Sequence, residues 1–362
     1  MFYHLLYPLK DLWFGFNVFK YITFRASMAA LTSFLICVIF GPLIIERLKQ
    51  LNFGQYVRKE HVGIIYDLHK HKEGTPTMGG IIIILAVVIA SLLWCRLDKD
   101  YVLLTLSSMV WLGTIGFIDD FMKIRNKSSE GIRGVTKLIG QVTLALIVGL
   151  FVIHSKAIGA DLYVPFLKNA VINLGMFYII FVLFVIVGTS NAVNLTDGLD
   201  GLAIGSVVFI TFTYGIISYV TGHATISEYL QIFYLPGAGE LAVFCAALGG
   251  AALGFLWFNC HPACVFMGDT GSLALGGAIA VVSILIKKEL LLLIAGGVLV
   301  METVSVILQV TSFKLTGKRI FLMAPIHHHF QKKGWHESKI TVRFWIIGAI
   351  LVLVSLATLK VK

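Results

Sequence analysis

Apolar residues run almost free of charge through ten stretches, at roughly 26–45, 78–95, 101–118, 138–154, 171–190, 202–220, 240–257, 271–286, 290–312 and 344–359. Each is close to the length, about 20 residues, that a helix needs to cross a bilayer. The pattern predicts an all-α integral membrane protein of about ten transmembrane helices, with polar residues confined to the connectors. An even number of crossings puts both termini on one side. No Pro-, Ser- or charge-rich linker divides the chain, so residues 1–362 read as a single polytopic domain. Residues 1–25 are rich in aromatics, with Lys10, Lys20 and Arg25 spread through them. They lack the layout of a cleaved signal peptide and are expected to form an interfacial segment ahead of the first span.

Composition supports the class: 58% of residues are hydrophobic and 13% charged, where a soluble domain carries about 25% charged residues. Charge then orients the chain. The connectors after spans 1, 3, 5, 7 and 9 hold 18 of the 29 Lys and Arg, an excess that places them in the cytoplasm and both termini outside. The five cysteines are odd in number and lie mostly in apolar runs, so no disulfide framework is implied. Cys260, His261 and Cys264 have a zinc-like look but lack a fourth ligand nearby.

Five unusual stretches fall on that same cytoplasmic face. Asn191–Gly201 (NAVNLTDGLDG) carries two Asn, two Asp and a Gly beside each acid. It is either an ordinary turn or, continued as helix, a strip presenting Asn194, Asp197 and Asp200 on one face. His71–Gly80 (HKEGTPTMGG) offers Lys72, Thr77 and free backbone N–H groups to a phosphate without being a P-loop. Asp119 and Asp120 end the third span in FIDDFMK, where the helix dipole and each other's charge disfavour them; Mg²⁺ or a neighbouring lysine such as Lys123 would offset that. Asn259–Ser272 (NCHPACVFMGDTGS) brings Asp269 to the start of span 8, as an N-cap or as a ligand of a Mg²⁺–phosphate pair. Met323–His336 (MAPIHHHFQKKGWH) holds three consecutive histidines, which cannot all point one way on a helix, so a loop is expected. Hydrogen bonding to a polar, anionic substrate suits them better than a metal. Glu302, alone in span 9, is expected to face the protein interior.

Acid pairs beside lysines, glycines and hydroxyls on one membrane face suggest Mg²⁺-dependent chemistry on a phosphate. An ion-coupled transporter would place its ionisable groups near the midplane of repeated halves, and no repeat is visible. These motifs resemble those of the polyprenyl-phosphate N-acetylhexosamine-1-phosphate transferases. The triple-His form, with GTPTMGG and QKKGWHE, resembles the phospho-N-acetylmuramoyl-pentapeptide-transferase branch of that superfamily, from about the first span to the tenth.

The resemblance implies an enzyme of the bacterial inner membrane with its active site facing the cytoplasm. It implies transfer of phospho-N-acetylmuramoyl-pentapeptide from its UDP-linked donor to undecaprenyl phosphate, giving lipid I and UMP. Expected partners are those two substrates, membrane lipid and a second copy of the chain in a homodimer, with no nucleic acid. By motif, Asp269 holds Mg²⁺, and Asp119 contacts the metal or the attacking phosphate. Asp120, Asn194, Asp197 and Lys137 complete the polar shell. Lys72, Gly198, Asp200, Asn259 and Phe266 take the uridine and pyrophosphate side, and His327, His328 and His329 the muramoyl-peptide side. A UDP-N-acetylglucosamine transferase is the alternative within the superfamily, and Ile326–Glu337 is the stretch that separates the two.

Overall fold

The computed structural model describes residues 1–51, 74–126, 131–166 and 171–360. Ten long helices account for the apolar runs: α1 (Ile22–Gln50), α2 (Gly80–Trp94), α3 (Asp100–Arg125), α4 (Gly134–His154), α5 (Tyr178–Thr196), α6 (Leu202–Thr221), α7 (Gly239–Asn259), α8 (Gly268–Leu285), α9 (Gly297–Thr316) and α10 (Glu337–Ala357). Among the described residues, nine helices are long and apolar enough to cross a membrane. The tenth, α2, has 15 residues and spans only about 22 Å. It is short because its first turn is tied into the loop before α8: Gly79 N–H donates to Phe266 O (2.8 Å), Gly80 N–H to Met267 O (2.9 Å), and Phe266 N–H to Pro76 O (2.8 Å).

Two expected spans differ in detail. The run from 171 opens as a strand, Val171–Asn173 (β2), paired antiparallel with Asp161–Tyr163 (β1), and α5 begins only at Tyr178. The run 290–312 is broken into Leu292–Ala295 and α9, with Gly296 at the joint. Residues 1–20 fold back as short helical turns onto the end of α2. The Met1 amine donates to Leu92 O (2.7 Å), and the Phe2 ring meets Trp94 edge-on.

Helix α8 is the axis of the bundle: every residue from Thr270 to Leu285 is buried. Its small side chains let neighbours come close, in the manner of membrane helix contacts. A Cβ on Gly276 would stand 2.6 Å from Ser190 Cα of α5. The Gly250/Gly254 pair of α7 does the same for α1, where a Cβ on Gly254 would meet Cys37 Cβ at 2.6 Å. At the end of the bundle where α1 and α7 begin, Arg25 grips Glu240 through two hydrogen bonds of 2.6 Å, both residues being buried. Each offsets the other's desolvation. The opposite end, where α3 and α5 finish and α2, α4, α6 and α8 start, carries the motif residues.

Candidate functional site

The last turn of α3 carries Asp119 and Asp120, and both are buried. Successive helical residues diverge by about 100°, so the two carboxylates serve different neighbours. Asp120 faces the start of α8. It accepts from Asp269 N–H (3.2 Å), Thr270 N–H (2.9 Å) and the Thr270 hydroxyl (2.8 Å). It therefore caps α8 from another helix, satisfying N–H groups that have no partner within α8. The cap expected of Asp269 belongs to Asp120, because Asp269 lies inside the first turn and Met267 holds the N-cap position with no side-chain bond.

Asp119 faces the other way. Its Oδ1 accepts from Ile132 N–H (2.8 Å), and its Oδ2 lies 2.6 Å from Lys123 Nζ and 2.9 Å from Lys137 Nζ. Asp269 shares both lysines through Oδ2, at 3.2 Å from Lys123 and 2.5 Å from Lys137. Its Oδ1 accepts from Asn194 Nδ2 (2.8 Å), which also donates to Ser272 Oγ (2.8 Å). The Thr77 hydroxyl stands by Gly268, whose absent side chain leaves it 3.0 Å from where a Cβ would be. Thus Thr77, Asp119, Asp120, Lys123, Lys137, Asn194 and Asp269 form one cluster, with carboxylate oxygens of its three acids within 4.8 Å of one another. Lys72 lies outside the described residues.

The stretch 191–201 is not one helical face. Helix α5 stops at Thr196, Asp197 caps it with a non-helical ψ of 46°, and Gly201 opens α6 at φ +74°. Asn194 consequently points to the acid cluster, while Asp200 turns to a second group. Asp200 Oδ2 accepts from Ala263 N–H (3.1 Å) and pairs with His261 Nδ1 (3.1 Å); its own N–H donates to Glu337 (2.6 Å). Asn259 commits both amide atoms to backbone, receiving Gly201 N–H (3.1 Å) and donating to Val265 O (2.9 Å). It joins the loop before α6 to the loop before α8. The Phe266 side chain remains half-buried beside that loop. Cys260 and Cys264 are free and exposed, and His261 pairs with Asp200 instead of completing a cysteine zinc site.

The three histidines sit on a short helix, Ile326–Lys332, not on a loop. Helical rotation sends each to a different task, so there was no need for them to point one way. His327 is fully buried, with Nδ1 3.0 Å from Glu302 Oε2 and its ring against Gly198. His328 Nδ1 pairs with Gln331 Oε1 (2.7 Å). His329 Nδ1 accepts from Leu322 N–H (3.1 Å), and burial with Lys333 nearby holds its imidazole below the usual range. The pairing of Glu302 with His327 fits the expectation that this membrane carboxylate faces inward.

Sequence reasoning overlooked three supporting groups. Thr270 completes the α8 cap. Glu337 receives the Asp200 N–H. Buried Gln141, one turn from Lys137, donates to Ser190 Oγ (2.9 Å) and accepts from Asn191 (3.2 Å), binding α4 to α5 behind the cluster. A Gln inside an apolar run was the one signal for it.

The donor set suits a hard cation. Asp119 and Asp269 present carboxylate oxygens on either side of two ammonium groups, and Mg²⁺ commonly takes one or two protein carboxylates with phosphate and water completing its shell.

Known proteins point the same way. Residues 102–287 match glycosyl transferase family 4, and residues 72–84 match phospho-N-acetylmuramoyl-pentapeptide-transferase signature 1. Over the full length of both chains, the sequence is 53% identical to the phospho-N-acetylmuramoyl-pentapeptide-transferase of Desulfotalea psychrophila. It is 50% and 51% identical, again end to end, to the proteins of that name from Desulfosudis oleivorans and Citrifermentans bemidjiense. With the Asp119–Asp269 cluster at the head of α8 and full-length identity at this level, the chain belongs to the phospho-N-acetylmuramoyl-pentapeptide-transferase family.

Proposed function

We propose that the protein transfers phospho-N-acetylmuramoyl-pentapeptide from its UDP-linked donor to undecaprenyl phosphate, releasing UMP and forming lipid I. The observation that carries this reading is the acid pair Asp119/Asp269 sharing Lys123 and Lys137 at one end of a membrane bundle. A lipid-borne phosphate and a soluble nucleotide can meet only at a membrane boundary. An oxygen of the lipid phosphate attacks the sugar-linked phosphorus of the donor. The bond from that phosphorus to the bridging oxygen breaks, and UMP leaves with the electron pair. Such a reaction depends on positioning and on neutralising phosphate charge.

Asp269 and Asp119 would hold Mg²⁺, which supplies charge neutralisation at the transferring phosphoryl group. Lys123 and Lys137 move from their carboxylate partners toward phosphate oxygens when substrate arrives. Asp120 keeps the first turn of α8 in register, and Asn194 fixes the Asp269 carboxylate. Asp197 belongs to the polar shell of the acid cluster; Gly198, Asp200 and Phe266, together with Lys72, form the nucleotide side, and His328 and His329 the muramoyl-peptide side. The excess of basic residues in the connectors supports a cytoplasmic location for this end of the bundle, where a UDP-linked donor is available, in a homodimer in the bacterial inner membrane. The test is purified protein with undecaprenyl phosphate and each UDP-sugar in turn, following UMP. Release with the muramoyl-pentapeptide donor is expected, and release only with UDP-N-acetylglucosamine would overturn the assignment.

A further inference from the structure

Helix α9 shows most of its surface to the outside; its buried residues are Val298, Leu299, Glu302 and Ser305. Glu302 and His327 are both fully buried, and they face each other at 3.0 Å. Their other polar atoms, Glu302 Oε1 and His327 Nε2, have no hydrogen-bond partner. Such a half-satisfied polar pair stabilises less than a well-packed apolar pair of the same volume. Stability therefore does not account for it, and its geometry suggests what does.

With Nδ1 donating to the carboxylate, the imidazole is fixed with its Nε2–Cε1 edge against Gly198. A Cβ at position 198 would clash with Nε2 and lie 2.8 Å from Cε1. The ring occupies the space that a side chain on residue 198 would need, so the turn from Asp197 to Gly201 rests on it. That turn bears Asp197 and Asp200. The partners described above for Asp119, Asp120 and Asp269 do not include Glu302 or His327.

We infer that Glu302 is a positioning residue for donor binding: through His327 it sets the turn that receives the UDP-linked substrate. The inference rests on the function proposed above and extends it to a residue of the membrane-embedded helix α9. Glu302 touches no substrate; it acts through the histidine ring.

The test is steady-state UMP release by the purified full chain, varying donor and undecaprenyl phosphate separately, with a melting curve for each variant. Glu302→Leu should raise the donor KM by about tenfold, with kcat and the lipid-phosphate KM little changed, the pattern of a lost binding contribution. Glu302→Gln keeps an oxygen that accepts from Nδ1 and should restore most of the donor affinity. Gly198→Ala should raise the donor KM by collision with the ring, and adding His327→Ala should cost less than the two single effects combined, since the collision is then gone. A wild-type donor KM in Glu302→Leu overturns the inference. So does an equal fall in kcat and melting temperature for the Leu and Gln variants, which would mark a structural pair. The donor used is whichever UDP-sugar the wild type turns over, so a wrong donor assignment shows in the wild type and leaves the Glu302 comparison intact.

Discussion

Replacing Asp120 by Asn should unsettle the protein, whereas the same change at Asp269 should silence it. The side chains have nearly one shape, so the difference comes from partners. Asp120 accepts three hydrogen bonds from the first turn of α8, two from Thr270 and one from Asp269 N–H. An amide in its place can keep the Thr270 pair only by turning its NH₂ toward the Asp269 N–H, donor against donor. Losing one bond to a charged acceptor costs about 1.5–3 kcal/mol, and losing a negative charge at a helix N-terminus costs up to about 2 kcal/mol. Relief of repulsion from Asp119 and Asp269 offsets part of this, for a net loss of about 2 kcal/mol. The described partners of the Asp269 carboxylate are Asn194, Lys123 and Lys137, none of them a helix N–H. As Asn it keeps the oxygen facing Asn194, and its lysines keep Asp119. Its NH₂ then faces Lys137 and Lys123, donor against donor, so stability should fall modestly, with Asp119 still holding both lysines, while UMP release falls by orders of magnitude with the loss of a phosphate-neutralising ligand. Thermal unfolding in detergent and UMP release across a Mg²⁺ titration read the two effects separately. A wild-type melting point for Asp120→Asn together with a large drop for Asp269→Asn would show that the cap has been assigned to the wrong acid.

Other expectations follow from the same contacts. Burial pushes the Glu289 carboxyl up to about 7, against 4.5 unperturbed, beside the Tyr178 hydroxyl that donates to it. The folded protein thus binds more protons than the unfolded chain between those values, and stability declines as pH rises through that window, by about 3 kcal/mol in all; Lys287, held down to about 8 by burial, titrates above it. Melting curves from about pH 5 to about pH 8 should fall for the wild type and flatten for Glu289→Gln. A reporter fused after Lys362 should behave as external, since the basic connectors lie at the other face, and a cytoplasmic signal would reverse the orientation of the site. Chelation of divalent cations should abolish UMP release without lowering the melting temperature, because Lys123 and Lys137 already pair with the acids; added Mg²⁺ should restore it.

Which parts of the fold could be read in advance depended on how far apart the interacting residues lie. Runs of apolar residues located all ten long helices, because lipid and protein interior ask for the same side chains. Their ends were harder. Helix α1 begins at Ile22 rather than near 26 because Arg25, which looks like a membrane-edge charge, is neutralised by Glu240, 215 residues away. The joint at Gly296 was hidden inside an unbroken apolar run, since hydropathy does not register backbone direction. The histidine run departs from expectation for a different reason: three histidines cannot share a helical face, yet here each serves a different neighbour, so a helix holds them.

The acid cluster raises a question of charge that sequence alone could pose but not resolve. Three carboxylates at helix ends looked expensive, and either a metal or a lysine could have offset them. The structure supplies Lys123 from the turn after the acids and Lys137 from the start of α4. Counting each carboxylate as one negative and each ammonium as one positive charge, the five groups together carry a single negative charge. That balance is sufficient to fold and unsuited to bind two phosphate-bearing substrates. A divalent cation would turn it to a single positive charge, and the lysines, already within 3.2 Å of the Asp269 carboxylate, could then lean toward phosphate without leaving a buried acid unpaired. The lysines therefore do not replace the metal. In the function proposed here they hold Asp119 and Asp269 together before a cation binds, which is why losing the cation should remove activity and leave the fold standing.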